Sequence, residues 1–386
     1  MTTILTGIIL LIFGTGPIKG FATTLVIGII TSLFSAIFIT RLIYESMLTK
    51  NRVLTFATRL TQNAFKNTNI QFIKNRKPFY ILSAIIITIG IISLFTRGLN
   101  LGTDFTGGRT FVVRFDEPVN TVDITNSLAQ VYGQTPQVIT FGGENQIRVT
   151  TKYLIDDDAA EADDEVERLL YEGLRPYLGG DVDLETFLTD YRQSSSKVGP
   201  TVADDIKVQA VWAILFSLVV IFIYIFIRFR NWQFGLGGVA ALVHDVMLVL
   251  GTFSLFYGIV PFSMEIDQAF IAAILTVVGY SINDTVVVFD RIREYIGLYR
   301  KRDRAEVLNM AINSTLSRTI NTALTTIFVL LVIFLFGGEV IRGFTFALLI
   351  GIGIGTYSSV FIATPIVYDT IKKSPEERAL SAKKRS

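Results

Sequence analysis

Asp284 is the residue whose type and placement promise most chemistry. It lies in Gly279-Tyr-Ser-Ile-Asn-Asp-Thr-Val-Val-Val-Phe289, inside an apolar run that begins near Ile266 and is long enough to cross a bilayer. A carboxylate in such a span is costly, usually faces a bundle interior or a water-filled path, and marks a proton or ion site by default. On a helix it shares a face with Val277, Tyr280, Ser281 and Val288. Tyr280 and Ser281 then offer a hydrogen-bonded path beside the acid, and Asn283 joins them as a candidate for relay or helix packing. Burial and a nearby cation act in opposite senses on a carboxylate, a competition that suits a switchable proton carrier. Arg318 opens a later apolar run, enters from the side that Asp284 approaches, and shares a stripe with Asn321, Thr322 and Thr325. The blander alternatives are an Asp that only ties helices together and an arginine that snorkels as a topology anchor.

A second polar pair, His244-Asp245, sits near the middle of the apolar run 235–257, after Gly237-Gly238 and Ala240-Ala241. Small residues permit close helix approach, so the pair either extends a proton path or bridges helices. Asp267 falls at the outer end of its run and reads as an interfacial polar residue. One histidine and no cysteine exclude a multi-histidine or thiolate metal centre and any disulfide. Gly351-Ile-Gly-Ile-Gly355 has nucleotide-loop spacing but lies in an apolar run without a P-loop lysine, which points to helix packing. There is no His-Glu-x-x-His motif, no Gly-x-Ser-x-Gly elbow and no nucleophile–base arrangement. A membrane enzyme is the least favoured class, and no cofactor is expected.

The elements that position these residues are membrane spans. The chain is 51% hydrophobic with mean hydropathy +0.51, outside the soluble globular range. Spans are expected near 1–13 (short), 21–40, 79–96, 208–227, 235–257, 266–289, 319–336 and 343–368. Segment 41–78, segment 290–318 and the tail with Lys372, Lys373, Lys383, Lys384 and Arg385 are basic and fall on one side, which is therefore cytoplasmic. Segment 98–200 falls on the other side, carries Asp156-Asp-Asp and Asp163-Asp-Glu165, and is large enough to be a domain. Strands are expected at 109–115, 137–141, 146–151 and 185–194, with helices at 122–132 and 159–174. That βαββαβ order suggests a small α+β, ferredoxin-like sandwich. The expected organisation is a pair of helices in 1–45, a basic linker 46–78, a helix at 79–97, the outer domain 98–204, a five-helix bundle 205–370 and a basic tail 371–386.

A repeat runs through the spans. Shifted by 323 positions, Thr2-Thr3-Ile4 meets Thr325-Thr326-Ile327, Phe13-Gly14 meets Phe336-Gly337, and Ile18-Lys19-Gly20-Phe21 meets Ile341-Arg342-Gly343-Phe344. Both copies run from outside to inside, a parallel repeat of the kind transporters use. The span that begins near Thr319 starts several residues before the part matched by Thr2, so the beginning of the first helix is missing and the chain is expected to be the C-terminal piece of a longer duplicated protein.

Leu101-Gly-Thr-Asp-Phe-Thr-Gly-Gly108 resembles the signature of the SecD and SecF protein-export subunits, carried here by Gly102, Asp104, Gly107 and Gly108. Gly279-Tyr-Ser-Ile-Asn-Asp-Thr-Val-Val-Val-Phe-Asp-Arg-Ile-Arg-Glu294 is similar to the intramembrane motif of SecF, and Arg318-Thr319 also fits. Residues from about 70 to 373 look like a complete SecF, and 1–45 look like the last two helices of SecD, as in a truncated fused SecDF. The resemblance implies a polytopic α-helical, RND-like bundle in the bacterial inner membrane with a periplasmic domain. It implies a proton-motive-force-driven accessory of the Sec translocase, in which Asp284 and Arg318 carry the proton. It also implies a SecYEG-type translocon, a SecD half, YajC- and YidC-type accessory proteins and preproteins as partners, and no nucleic acid. The principal SecD aspartate has no counterpart in this chain. A proton-driven exporter of lipids or small molecules, or a translocon scaffold, would be the competing functions.

Overall fold

A computed structural model describes residues 2–14, 16–51, 68–157 and 159–371. Most of the basic linker (52–67) and the basic tail from 372 lie outside the described residues. Helix α1 (Thr2–Phe13) precedes α2 (Gly16–Phe34), which runs through a π segment (Ser35–Ile39) into α3 (Thr40–Thr49). Helix α4 (Arg76–Thr96) follows, then a short α5 (Thr103–Thr106). The domain contains β1 (Gly108–Arg114), α6 (Thr121–Tyr132), β2 (Gln137–Thr140), β3 (Gln146–Thr151), α7 (Ala160–Leu174), a short α8 (Leu184–Thr186) and β4 (Arg192–Val198). The bundle closes with α9 (Pro200–Phe229), α10 (Trp232–Phe256), α11 (Gln268–Leu298), α12 (Arg304–Phe336), α13 (Glu339–Ser358) and, past a second π segment (Ser359–Ala363), α14 (Thr364–Thr370). Among the described residues seven helical stretches are long and apolar enough to cross a membrane. At about 1.5 Å per residue, α11 and α12 exceed the hydrocarbon thickness by several turns, and those turns carry charge.

Helix α11 is the axis of the bundle. Its buried residues occupy most of its circumference, including Phe270, Ile274, Val277, Val278, Ile282 and Phe289, the pattern of a helix enclosed by others. Small residues let its neighbours come close. A side chain at Gly351 would fall 2.2 Å from Val277 Cγ2, and one at Gly355 would fall 2.8 Å from Ser281 Cβ. The glycine-rich run of α13 is thus a packing surface against α11. Overpacking that surface is strongly unfavourable, so Gly351→Leu is expected to lower bundle stability by about 1–3 kcal/mol, read as thermal unfolding in detergent. An unchanged melting temperature would show that the α11–α13 contact is loose.

The two copies of the repeat share local geometry. Gly14 donates to Leu10 O at 2.8 Å and Gly337 to Ile333 O at 2.7 Å, positions related by the 323-residue shift. Both copies carry a π segment, and Thr40 and Thr364 each donate to the carbonyl five residues earlier at 3.1 Å. The equivalent rings of Phe21 and Phe344 pack edge to face, 5.5 Å apart.

The domain is an antiparallel sheet in the order β2-β3-β1-β4, with α6 and α7 packed on one face around Phe111, Val113, Leu128, Val149, Val166 and Leu170. That is the ferredoxin-like arrangement expected from the βαββαβ order. The last strand differs: residues 184–191 are helical and β4 starts at Arg192. The Asp183 carboxylate accepts from Thr186 N at 2.9 Å and caps that turn, a local bond that competes with strand pairing. Arg109, buried at 2% exposure, is held by Tyr153 O, Leu154 O and the Asp163 carboxylate. Hydrogen bonding from Arg109 is the main cause that holds the Asp163 carboxyl below its ordinary value of 3.8. A depressed acid adds stability above its unfolded pKa and loses it as pH falls through the folded value. Protease resistance of this domain is therefore expected to fall below about pH 3.8 in wild type, and Asp163→Asn should show a shallower acid loss. Equal acid sensitivity in the two would remove the pair from the account.

Candidate functional site

The Asp284 side chain is buried at 4% exposure, and its Oδ2 has no hydrogen-bond partner. A partnerless buried carboxylate oxygen is unusual enough to need a reason. The antiparallel register of α11 and α12 supplies its neighbours. Tyr280 OH donates to Thr322 O at 2.9 Å and lies 3.0 Å from Thr326 Oγ1. One turn further along α11, and one turn back along α12, Asp284 reaches the level of Arg318. The Arg318 guanidinium is the charged group whose field reaches the acid. The two are not in contact: Arg318 is exposed, and no ion pair to it forms among the described residues. It lines a cleft of about 790 Å³ between α9, α11 and α12 on the side away from the domain, with Arg228, Asp290, Arg293 and Thr315. Asp290 there accepts from Arg228 (3.1 Å) and forms an ion pair with Arg293 (3.0 Å).

The polar side chains next to Asp284 in sequence are committed elsewhere. Ser281 donates to Asp245 Oδ2 at 2.6 Å, not to Asp284. Tyr280 turns to α12, and Asn283 is half-buried outside both networks. A single helical face therefore overstates their proximity: at about 100° per residue, positions 280, 281 and 284 face different partners once three helices surround α11.

His244 and Asp245 lie at the centre of a second network. Asp245 is fully buried. Its Oδ2 accepts from Ser281 and from Ser358 (2.8 Å), and its Oδ1 lies 2.9 Å from His244 Nδ1. His244 Nε2 lies 3.0 Å from Ser83 Oγ, which in turn meets Tyr357 OH at 3.0 Å. A neutral His244 protonated at Nδ1 satisfies this chain, donating to Asp245 and accepting from Ser83. The network links α4, α10, α11 and α13. Sequence reasoning did not find Ser83, Tyr357, Ser358 or Ser359. The signal for the last three was the polar run Thr356–Ser359 inside an apolar span, where the π segment turns Ser358 and Ser359 inward; Ser83 had no comparable signal.

The signature loop grips the far end of the same helix. Asp104 Oδ2 accepts from Gln268 N at 2.9 Å, and Asp267 accepts from Phe270 N at 2.7 Å, so two carboxylates cap the first turn of α11. Gly102 N donates to Ile266 O (2.9 Å) and Ile266 N to Asn100 O (2.8 Å). Gly107 and Gly108 have φ of +69° and +145°, and a side chain at Gly108 would meet Thr151 O at 3.2 Å. Only glycine turns this corner easily, and the loop runs straight into β1. The glycine pair is thus a packed joint. Across from it, Arg148 of β3 pairs with Glu265 at 2.5 Å, a largely buried contact between the sheet and the α10–α11 loop. Arg148→Ala with Glu265→Ala should show a coupling of about 1–3 kcal/mol in a double-mutant cycle of domain stability. Simple additivity would mean that the pair does not dock the domain. No cluster of His, Cys, Asp and Glu among the described residues has metal-site geometry.

Fold and site together define a polytopic helical membrane protein with a small α+β domain docked on the helix that carries a buried, partly unpaired acid. Residues 184–373 match the C-terminal region of the SecD/SecF protein export membrane proteins, and 92–119 match the SecD/SecF GG motif. The chain belongs to the SecD/SecF protein-export membrane protein family. It is 47% identical over 319 residues to the protein translocase subunit SecF of Rhodothermus marinus, covering 82% of this chain and 98% of that one. It is 31% identical over 385 residues to SecDF of Bacillus subtilis, covering 95% of this chain and 49% of that one. The crystal structure of SecDF, a translocon-associated membrane protein from Thermus thermophilus, superposes with a TM-score of 0.79 at 30% identity, over 95% of this chain and 47% of that chain. The chain thus spans about half the length of the SecDF proteins it matches.

Proposed function

We propose that this chain is the SecF-type part of an accessory of the Sec protein translocase, in which protonation of Asp284 drives movement of the 108–198 domain on the periplasmic side of the inner membrane and promotes preprotein export. The observation that carries this reading is the placement of both features on one rigid helix. Sixteen residues separate the Asp104 cap at Gln268 from Asp284, roughly 24 Å of α-helix. A charge change at the lower point has to act through the packing of α11, and any tilt or rotation there is delivered to the signature loop, then to β1. Neutralising a buried charge is the kind of local event that biases two helix packings. Arg318, in a cleft on the cytoplasmic side, is placed to exchange charge with Asp284 as the acid gains and loses its proton. The His244–Asp245 network holds Ser281, one turn before Asp284, and acts as the anchor against which α11 moves. The partners in this reading are a SecYEG-type translocon, YajC- and YidC-type accessory proteins and preproteins.

The companion half is a SecD-type one. Ser314, Arg318, Asn321 and Thr325 form an exposed polar stripe along α12, and polar groups facing lipid carry an unfavourable term that a neighbouring helix removes. In the first copy of the repeat, Phe13 meets Phe216 of α9 at 5.5 Å, whereas its equivalent Phe336 is 85% exposed. A helix equivalent to α9 from the other half completes both. The test is export rate with and without a proton gradient, with this chain and its SecD half reconstituted with the translocon. Export that ignores the gradient would leave a scaffold as the function.

A further inference from the structure

Residues 69–75 form neither helix nor strand, yet their backbone is firmly held. They lead into α4 at the end of the bundle away from the domain, and Phe72 and Ile73 within them are each 1% exposed. Backbone groups in such a segment need partners, and two side chains of α12 supply them. Asn313 Oδ1 accepts from Ile70 N at 3.0 Å, and its Nδ2 donates to Ile70 O at 3.0 Å. One turn earlier, Asn309 Oδ1 accepts from Ile73 N at 3.0 Å, and its Nδ2 donates to Gln71 Oε1 at 3.0 Å. Asn309 is itself buried. A side chain with one acceptor and one donor on a short arm is what this pairing requires. The segment is also fastened to the rest of the bundle. Phe72 packs edge to face on Phe361 at 5.2 Å, and Arg76 pairs with Asp369 of α14 at 2.9 Å. Residues 69–76 are thus a strap that ties α12 to the end of the α13–α14 pair.

We infer that Asn309 and Asn313 are positioning residues: by gripping the strap they set the depth and rotation of the inner half of α12, and with them the level at which Arg318 stands against Asp284. The packing of α12 puts the burden on that end. Its buried residues run from Val307 to Ala323, and beyond Ala323 none is buried among the described residues. Arg318 follows Asn313 by five residues, roughly 7.5 Å of helix. Its guanidinium makes no ion pair among the described residues, so its place is inherited from the helix. The strap refers that place to α13 and α14, the pair that also carries Ser358 of the Asp245 network. Asp284 lies on α11, so α11 can shift against an arginine whose position is fixed elsewhere. The consequence for export rests on the proposed function, whereas the placement of α12 does not.

The test has two readouts. The first is the distance between spin labels on cysteines introduced at exposed Ser314 of α12 and exposed Asn231 before α10, in the whole chain in lipid nanodiscs without a gradient. The second is gradient-dependent export by this chain with its SecD half and the translocon. Asn309→Ala with Asn313→Ala removes the grip from the α12 side. Ile70→Pro removes the amide that Asn313 holds and leaves α12 unaltered, so it decides the matter if the double alanine variant fails to fold. Asn309→Asp keeps the acceptor for Ile73 N, and Gln71 can reverse its amide to donate to it. The expected result is a narrow distance in wild type and Asn309→Asp and a broadened one in the other two. Export should fall by about tenfold where the distance broadens and hold where it stays narrow. A narrow distance without the grip would overturn the inference, as would a broadened distance with export intact. Wild-type export that ignores the gradient would instead sink the proposed function, and the distance alone would still show whether the strap places α12.

Discussion

Asp284→Asn is expected to abolish gradient-dependent export while leaving the protein folded and at normal levels in the membrane. The substitution keeps the shape of the side chain and removes only its ability to change charge. A charged acid at this depth is unfavourable by about 2.5–3.5 kcal/mol on insertion scales, and Asp284 Oδ2 has no compensating bond. Removing the charge should therefore leave the bundle as stable as before or more so, which separates a mechanistic role from a structural one. The measurement is secretion of a reporter preprotein in a strain lacking its own SecDF, complemented by this chain with its SecD half. The expected loss exceeds about tenfold, with unchanged melting of the purified protein. Secretion at the wild-type rate would take Asp284 out of the mechanism. Loss of both secretion and stability would reduce it to a helix tie.

The second large effect is expected at the other end of α11. Asp104→Ala removes the carboxylate that accepts from Gln268 N. Loss of a helix cap is worth about 1 kcal/mol in stability, too little to unfold a bundle of this size. It should nevertheless sever much of the link between α11 and the signature loop. We expect proton uptake by Asp284 to persist and export to fall by about tenfold, a difference of about 1.4 kcal/mol in coupling. Asp104→Asn, which still accepts a hydrogen bond from Gln268 N, should recover most of the activity. Failure of Asn to rescue would show that charge at this terminus matters more than the bond.

Much of this arrangement was legible in the sequence because the membrane imposes simple rules. Long apolar runs announced the spans. Asp284 stood out because a charge in such a run demands an explanation. The α+β domain was readable from the βαββαβ order of its expected strands and helices. Tertiary choices were less visible. Ser281 was assigned to Asp284 from helical spacing, but three helices compete for the surface of α11, and Asp245 on α10 takes the serine. The strand expected at 185–194 gave way to a cap at Asp183. Gly107-Gly108 stood in the sequence only as part of a signature. In the fold it signals the close approach of Thr151 and Thr103. Asp104 was noticed as part of a motif, while its role as a cap required the distant Gln268 to be beside it.

The central claim is that the protonation state of Asp284 sets the position of the domain, and one distance tests it. The sequence contains no cysteine, so cysteines introduced at exposed Ser195 on β4 and at exposed Ile259 in the α10–α11 loop can take spin labels specifically. Their separation is to be measured in the protein with its SecD half in liposomes, at about pH 6 and about pH 8. The account predicts two populations that exchange weight with pH in wild type, and a single pH-independent population in Asp284→Asn. The same pH response in both proteins would contradict it, as would a wild-type distance that does not change.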